Sequence, residues 1–363
     1  MKLEFDLDEQ QTKPASLLDY QRIAIAVGDG APVAISKTAM SLMRYRGEDI
    51  IAVIDAANAG KSAQEVYRLG GTIPIVASLS DVPDTDAIFV GIAPAGGVLP
   101  QSIRSVIAQG VDKGIDIVSG LHQFLIDDSE LVAAARLSGS RLIDVRRNQY
   151  KKTARGTGFR EGCLRIHTVG HDCAVGKMVV TLELERELKQ RGVDAQFLAT
   201  GQTGIMVSGR GVPVDCVVSD FVNGAVEELV FQNEDHEILL IEGQGSATHP
   251  AFSAVTLGLL HGCAPQGLIL CYEVGRTVTM DYPHVPLMPL EYLRHLYETI
   301  GSVRIPTKVI GIAMNSRYVT AEQAEAEKKL VEESMGLPVC DVYRDGPTKL
   351  ADAVLKLKKE LFA

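Results

Sequence analysis

The chain has 363 residues, and at roughly 150 residues per domain it divides into two domains, each long enough for a core of its own. Its 36 Lys and Arg against 46 Asp and Glu leave a formal charge of −10, which disfavours attraction to phosphate backbones or anionic membranes, so neither nucleic acid nor a membrane is an expected partner. A hydrophobic share of 46% with 23% charged residues belongs to an ordinary globular protein and excludes the disordered and fibrous classes.

The leader from Met1 to Lys13 is acidic and has no apolar h-region, so it reads as neither a signal nor a transit peptide, and a cytoplasmic protein is expected. After it, the run 22–27 reads as a strand ending in the turn Gly28-Asp-Gly30. Further apolar strands follow at 49–55, 87–92 and 115–119, separated by helical patterns at about 33–46, 62–69 and 100–113. Strands alternating with helices imply parallel pairing, and the first 155 residues read as a Rossmann-like domain. Its nucleotide signature is a fragment, because Val33 stands at the third glycine position of G-x-G-x-x-G. Asp55 ends the second strand, where it either meets a ribose hydroxyl or caps a turn. Lys37-Thr38 and Arg44 serve a site or a solvated helix face.

The polar, basic segment 146–161 lacks apolar periodicity and reads as a linker. From residue 156 onward the alternation restarts. Strands are expected at 163–169, 195–200, 237–242, 267–272, 307–313 and 337–341, with helices at 177–191, 220–233, 250–261, 290–300, 320–335 and 347–361. The stretch 243–272 carries no Asp, Glu, Lys or Arg, but its prolines, histidines and glycines interrupt it, so it reads as loop, buried helix and strand and not as a membrane span. Six cysteines without a CxxC pair read as reduced and mostly buried.

The strongest local signal is Gly170-His171-Asp172-Cys173-Ala174-Val175-Gly176-Lys177-Met178, between an apolar strand and an amphipathic helix. A glycine-rich turn there lets backbone N–H groups and the positive end of the helix surround an anion, while Lys177 adds a point charge. Five residues separate Gly170 from Gly176, where the usual phosphate loop has four.

Gly-x-Asp-x-x-Val-Gly-Lys resembles the modified phosphate loop of dethiobiotin synthase-like enzymes, and Ile241-Glu-Gly-Gln-Gly-Ser246 is similar to their Glu-Gly-x-Gly segment. That likeness implies ATP and Mg²⁺ chemistry, a magnesium role for Glu242 and a base-reading role for Asn315 in Gly311-Ile-Ala-Met-Asn315; Asp220 and Glu242, both beside predicted strand ends, are the pair placed to hold a metal between them. The departure is Met178, where those enzymes place the Thr or Ser that holds Mg²⁺; a thioether is a poor ligand for that hard cation. A phosphate of coenzyme A would need no such metal. In the first domain, 70–79, 86–90 and 114–121 loosely resemble the CoA-binding Rossmann domain of succinyl-CoA synthetase-like proteins.

Over nearly its full length the chain resembles a bacterial and archaeal family with an N-terminal Rossmann-like and a C-terminal P-loop domain, whose characterised relatives are described as D-glutamate N-acetyltransferases. The likeness is carried by 37–39, 53–55, 170–178, 200–204, 219–221 and 241–245. It implies acetyl-CoA and a free amino acid as substrates, giving an N-acetyl amino acid. A homo-oligomer is expected. Such acyl transfer needs a base for the ammonium proton, for which Asp220, Glu242 and His249 are candidates at predicted strand ends. It also needs donors for the oxyanion, expected from the backbone of 200–204 or the side chains of Gln202 and Thr203. Arg210 and Arg276 are the candidates for a substrate carboxylate. His171 either hydrogen-bonds the anion or points to solvent, and Cys173 invites a covalent mechanism but has no assigned base. The alternatives are an ATP-dependent ligase or kinase, and a non-catalytic nucleotide or CoA sensor.

Overall fold

Short runs of Ile, Val, Leu and Ala set off by Gly, Asp and Pro form the strands, and the chain between them has room for crossover helices. The computed structural model describes residues 16–362 apart from Ala34, so the reading of Met1 to Lys13 lies outside the described residues. The chain divides into two units. One is built from the described residues up to Asn148 together with Gln202–Pro213, the other from Gln149–Gly201 and the described residues from Val214 onward.

In chain order the elements of the first unit are β1 (Ile23–Ala26), α1 (Lys37–Tyr45), β2 (Ile50–Ile54), α2 (Ala63–Tyr67), β3 (Ile75–Val76), β4 (Ala87–Val90), α3 (Gln101–Asp112), β5 (Asp116–Ser119), α4 (Ser129–Ser138) and β6 (Leu142–Asp144). The strands pair in parallel in the order β3-β2-β1-β4-β5-β6, the doubly wound Rossmann arrangement.

The second unit holds β7 (Leu164–Gly170), α5 (Lys177–Gln190) and β8 (Ala195–Leu198), after which α6 (Gln202–Ser208) is lent to the first unit. It continues with α7 (Val222–Phe231), β9 (Ile238–Ile241), α8 (Ser253–Cys263), β10 (Gly267–Glu273) and the hairpin β11 (Val278–Thr279) and β12 (Tyr282–Pro286). Then come α9 (Leu290–Gly301), β13 (Lys308–Asn315), α10 (Ala321–Met335), β14 (Val339–Cys340) and α11 (Thr348–Phe362). The parallel order is β14-β13-β10-β7-β9-β8. Both faces are covered, which is why β7 and β10 are buried along their whole length. Ile269 and Cys271 turn to one face against α5 and α11, while Leu268, Leu270 and Tyr272 turn to the other against α8, α9 and α10. From β7 the chain first builds β8 and β9 on one side and only later β10 on the other. The end of β7 is thus the switch point at which open α/β sheets bind ligands.

The segment 202–213 corrects one reading. The sequence leaves 200–204 as a loop, whereas Gln202 begins α6, which packs in the first unit. There Thr203 Oγ1 meets Thr38 Oγ1 at 2.8 Å, and Arg146 Nη2 donates to Gln202 Oε1 at 3.0 Å. Arg46, 5% exposed, donates to Leu17 O, Tyr20 O and Met206 O at 2.9, 2.8 and 3.3 Å. Four of the six cysteines are buried, Cys173 and Cys216 are half-buried, and none forms a disulfide. Among the described residues no helix is long and apolar enough to cross a membrane.

Replacing Arg46 by Ala strips three buried carbonyls of their donor and is expected to cost about 2–4 kcal/mol in urea unfolding. A loss within error of zero would contradict this role for Arg46.

Candidate active site: the loop between β7 and α5

The loop after β7 turns on two left-handed residues, Ala174 at φ 55° and Gly176 at φ 105°. Strain at a non-glycine such as Ala174 marks functional sites, and alternating right- and left-handed residues bring successive N–H groups to one side as an anion nest. The N–H groups of the first turn of α5 have no intrahelical acceptor and add to it. Lys177 is buried, and its Nζ donates to Asp172 O at 2.7 Å. The ammonium lies close to bare backbone: a Cβ on Gly170 would sit 3.2 Å from Nζ, and one on Gly243 would sit 2.9 Å from Lys177 Cδ and 1.8 Å from Thr168 O. Burial holds the Lys177 ammonium below the usual lysine range. A phosphate there would replace the lost water with counter-charge.

Asp172, fully buried, stitches the loop. Its Oδ1 accepts Cys173 N–H at 2.7 Å, and its Oδ2 accepts Arg276 Nη1 at 3.0 Å and Met280 N–H at 2.7 Å. Arg276 also donates to Cys173 O at 2.9 Å and, through Nε, to Glu273 Oε1 at 2.9 Å. The guanidinium expected to hold a substrate carboxylate is therefore already committed to two carboxylates of the protein, so Arg276 clamps the loop. His171 is buried and faces neither anion nor solvent: Nε2 accepts Glu273 N–H at 3.1 Å, the ring stands edge-on to Tyr272, and burial pushes its pKa down to about 3. Asn315 Nδ2 reaches Val175 O at 3.5 Å, so it braces the loop backbone.

Glu242 ends the approach from β9. Its Oε2 accepts Thr200 N–H at 2.9 Å and Gly201 N–H at 3.2 Å, and Gln244 Nε2 donates to Oε1 at 3.2 Å. The amides of Thr200 and Gly201, expected to face an oxyanion, are thus spent on this carboxylate. Burial raises its pKa to about 7 against the pull of those amides, with nearby Asp215 raising it further and Lys177 lowering it. Gly243 N–H donates to Thr168 Oγ1 at 2.9 Å, tying this segment to the end of β7.

Other expectations resolve differently. Asp220 lies exposed on the turn Ser219–Phe221 before α7, and the acidic neighbour felt by Glu242 is Asp215. With Met178 after the lysine, Asp220 exposed, and Glu242 only partly ionised near neutrality and already taking three donors, this donor set does not fit Mg²⁺. Arg210 is exposed, and Gln202 and Thr203 are engaged in the first unit. Asp55 accepts Gly30 N–H at 2.8 Å, Ala57 N–H at 3.1 Å and Asn58 Nδ2 at 2.8 Å, so it caps its turn. His249 is buried beside Asp172.

Sequence reasoning missed Glu273 and Tyr297. Tyr297 donates to Gly170 O at 2.6 Å and accepts Ala247 N–H at 3.0 Å, joining the loop to the segment after β9. In sequence it is one apolar residue of an amphipathic helix. Glu273 had a signal, a charge closing the apolar run 267–272.

Residues 152–351 match the family described as a domain of unknown function, DUF1611_C P-loop domain, and 56–148 match its companion, the DUF1611_N Rossmann-like domain. A D-glutamate N-acetyltransferase of Tritonibacter scottomollicae is 35% identical over 329 residues, spanning 90% of this chain and 96% of that protein. One from a Pseudoalteromonas species is 38% identical over 258 residues, spanning 71% of this chain and 77% of its own. A DUF1611 family protein from Anabaena variabilis ATCC 29413, known from a crystal structure, superposes with TM-score 0.86 at 37% identity, covering 93% of this chain and 99% of that one.

Lys177→Ala removes the fixed charge of the nest and is expected to weaken the affinity for a phosphate ligand more than about tenfold in titration calorimetry, with the circular dichroism of the fold retained. Unchanged affinity would place the anion elsewhere.

Proposed function

Because the chain belongs to the DUF1611 family, Rossmann-like in its N-terminal part and P-loop in its C-terminal part, we propose that it transfers an acyl group from acyl-CoA to the amine of a free amino acid. Acetyl-CoA is the donor and D-glutamate the acceptor in this reading, which takes both from the relatives that bear the name D-glutamate N-acetyltransferase. The observation that carries it is a phosphate loop complete in its lysine and its left-handed turn but followed by Met178, with no hydroxyl for magnesium. Such a loop grips a phosphate without attacking it, as CoA requires and ATP hydrolysis does not.

The loop would fix the CoA phosphates and so position the thioester, converting a bimolecular encounter into an ordered one. The amine must lose its proton to attack. Glu242, with its pKa near 7, is matched to that task at neutral pH: ionised, it has one lone pair left after accepting Thr200, Gly201 and Gln244.

The assay uses the purified protein, acetyl-CoA, D- and L-amino acids and a thiol reagent. CoA release with D-glutamate and no nucleotide is the expected result; ADP or phosphate formed only with ATP would overturn the reading in favour of a ligase or kinase. Because the base must be ionised, kcat/KM should rise with pH through an apparent pKa near 7. Glu242→Gln should remove that limb and lower kcat about 10²-fold or more; a limb that survives would reassign the base. The same shift predicts stability that is full below the ordinary glutamate range and lost as pH rises through about 7, since the folded state resists ionisation. Glu242→Gln should flatten that slope in denaturant titrations.

A further inference from the structure

The loop itself carries one thiol, Cys173. Its backbone is pinned on both sides, N–H to Asp172 Oδ1 and carbonyl to Arg276 Nη1. The side chain is half-buried in the turn before α5 and interacts electrostatically with Lys177. A helix N-terminus and an ammonium are the surroundings that favour a thiolate.

A second observation comes from a different segment. The side chain of His249 is 1% exposed, its ring packed on Phe252 and edge-on to Tyr282 at centroid distances of 4.7 and 5.4 Å. Its Nδ1 accepts Ala251 N–H at 3.1 Å, so the neutral ring carries its proton on Nε2. That Nε2 is buried and has no hydrogen-bond partner, Asp172 Oδ1 lying at 3.8 Å, beyond bonding range. A ring nitrogen of His249, the Cys173 sulfur and an Asp172 oxygen lie within 4.8 Å of one another. A buried donor without an acceptor is costly, and this one belongs to the ring that clusters with Asp172 and Cys173.

The same three side chains have the chemistry of metal ligands. Yet a protonated Nε2 offers no lone pair, Asp172 is already held by Arg276, and Lys177 and Arg276 repel a dication. The cluster suits an oxygen gaining negative charge.

Resting on the acyl-transfer reading, we propose that Cys173 carries the acyl group between donor and acceptor, with His249 Nε2–H donating to the thioester carbonyl oxygen as it becomes an oxyanion. In the first half, the Cys173 thiolate, its proton already lost to water, forms a bond to the acyl carbon. The bond from that carbon to the CoA sulfur breaks, and CoA leaves as a thiolate that takes a proton from water. In the second half, Glu242 takes one proton from the ammonium, the freed amine nitrogen forms its bond to the same carbon, the bond to Cys173 breaks, the surplus proton on the new amide nitrogen passes to water and the thiolate is restored. No oxidant or further reactant is required.

The test is acid-quenched intact-mass and peptide-mapping spectrometry of the full protein with acetyl-CoA and no amino acid, together with initial-rate kinetics. One acetyl group on Cys173, chased into N-acetyl product by D-glutamate, and parallel double-reciprocal lines are expected. Cys173→Ser should lose the adduct and about 10²-fold or more of turnover while CoA affinity stays within about twofold. His249→Ala should slow adduct formation with CoA affinity unchanged, and His249→Gln, which restores an N–H, should recover part of it. Turnover by the wild type with no adduct and intersecting lines would overturn the covalent step and leave acyl transfer standing. No CoA release with any amine would bring down both, and stoichiometric zinc in the active protein would overturn this assignment of the cluster.

Discussion

Lys177 is an ammonium taken out of water at the point where a strand hands over to a helix, and the surrounding architecture answers to that one buried charge. Its stem needs bare backbone beside it, which explains glycine at 170 and 243. Its tip needs an acceptor, supplied by Asp172 O. The loop that offers this carbonyl needs bracing, and Glu273, Arg276, Tyr297 and Asn315 provide it from β10, the segment after it, α9 and β13, with Arg276 bonded to the loop's own Asp172. Burial holds the ammonium below the usual lysine range, and an incoming anion restores what desolvation took away.

The same burial acts with the opposite sign on Glu242. Desolvation disfavours every charged form, so the lysine is pushed down and the glutamate up, and each feels the other. One dry, partly charged end of a parallel sheet can therefore hold an anion and keep a carboxylate poised near neutrality. His171, in the same surroundings, is held neutral and serves as a hydrogen-bond acceptor for the backbone.

Much of this was legible in the sequence because parallel sheets announce themselves. Covered on both faces, β7, β9 and β10 appear as uninterrupted apolar runs, and the glycines and lysine between β7 and α5 mark the turn. The two-residue strands β3, β11 and β14 are mostly too short to read, and only the apolar 337–341 gave β14 away. The glycines at 201 and 204 made α6 look like a loop, though Arg46 and Arg146 anchor it as a helix in the first unit. Long side chains were the hardest case. A sequence shows that Arg276 stands in an uncharged neighbourhood, but not that it turns inward to Asp172 and Glu273. Nor does it show that the residue facing Cys173 is His249, 76 positions away and aligned only when β7 and β9 pair side by side.

The account stands most directly on where a bound anion sits. A crystal structure of the protein with CoA should show a phosphate held by the backbone amides of 174–177 and by Lys177 Nζ within hydrogen-bonding distance. CoA bound with its phosphates elsewhere, and Lys177 still turned only to Asp172, would contradict it.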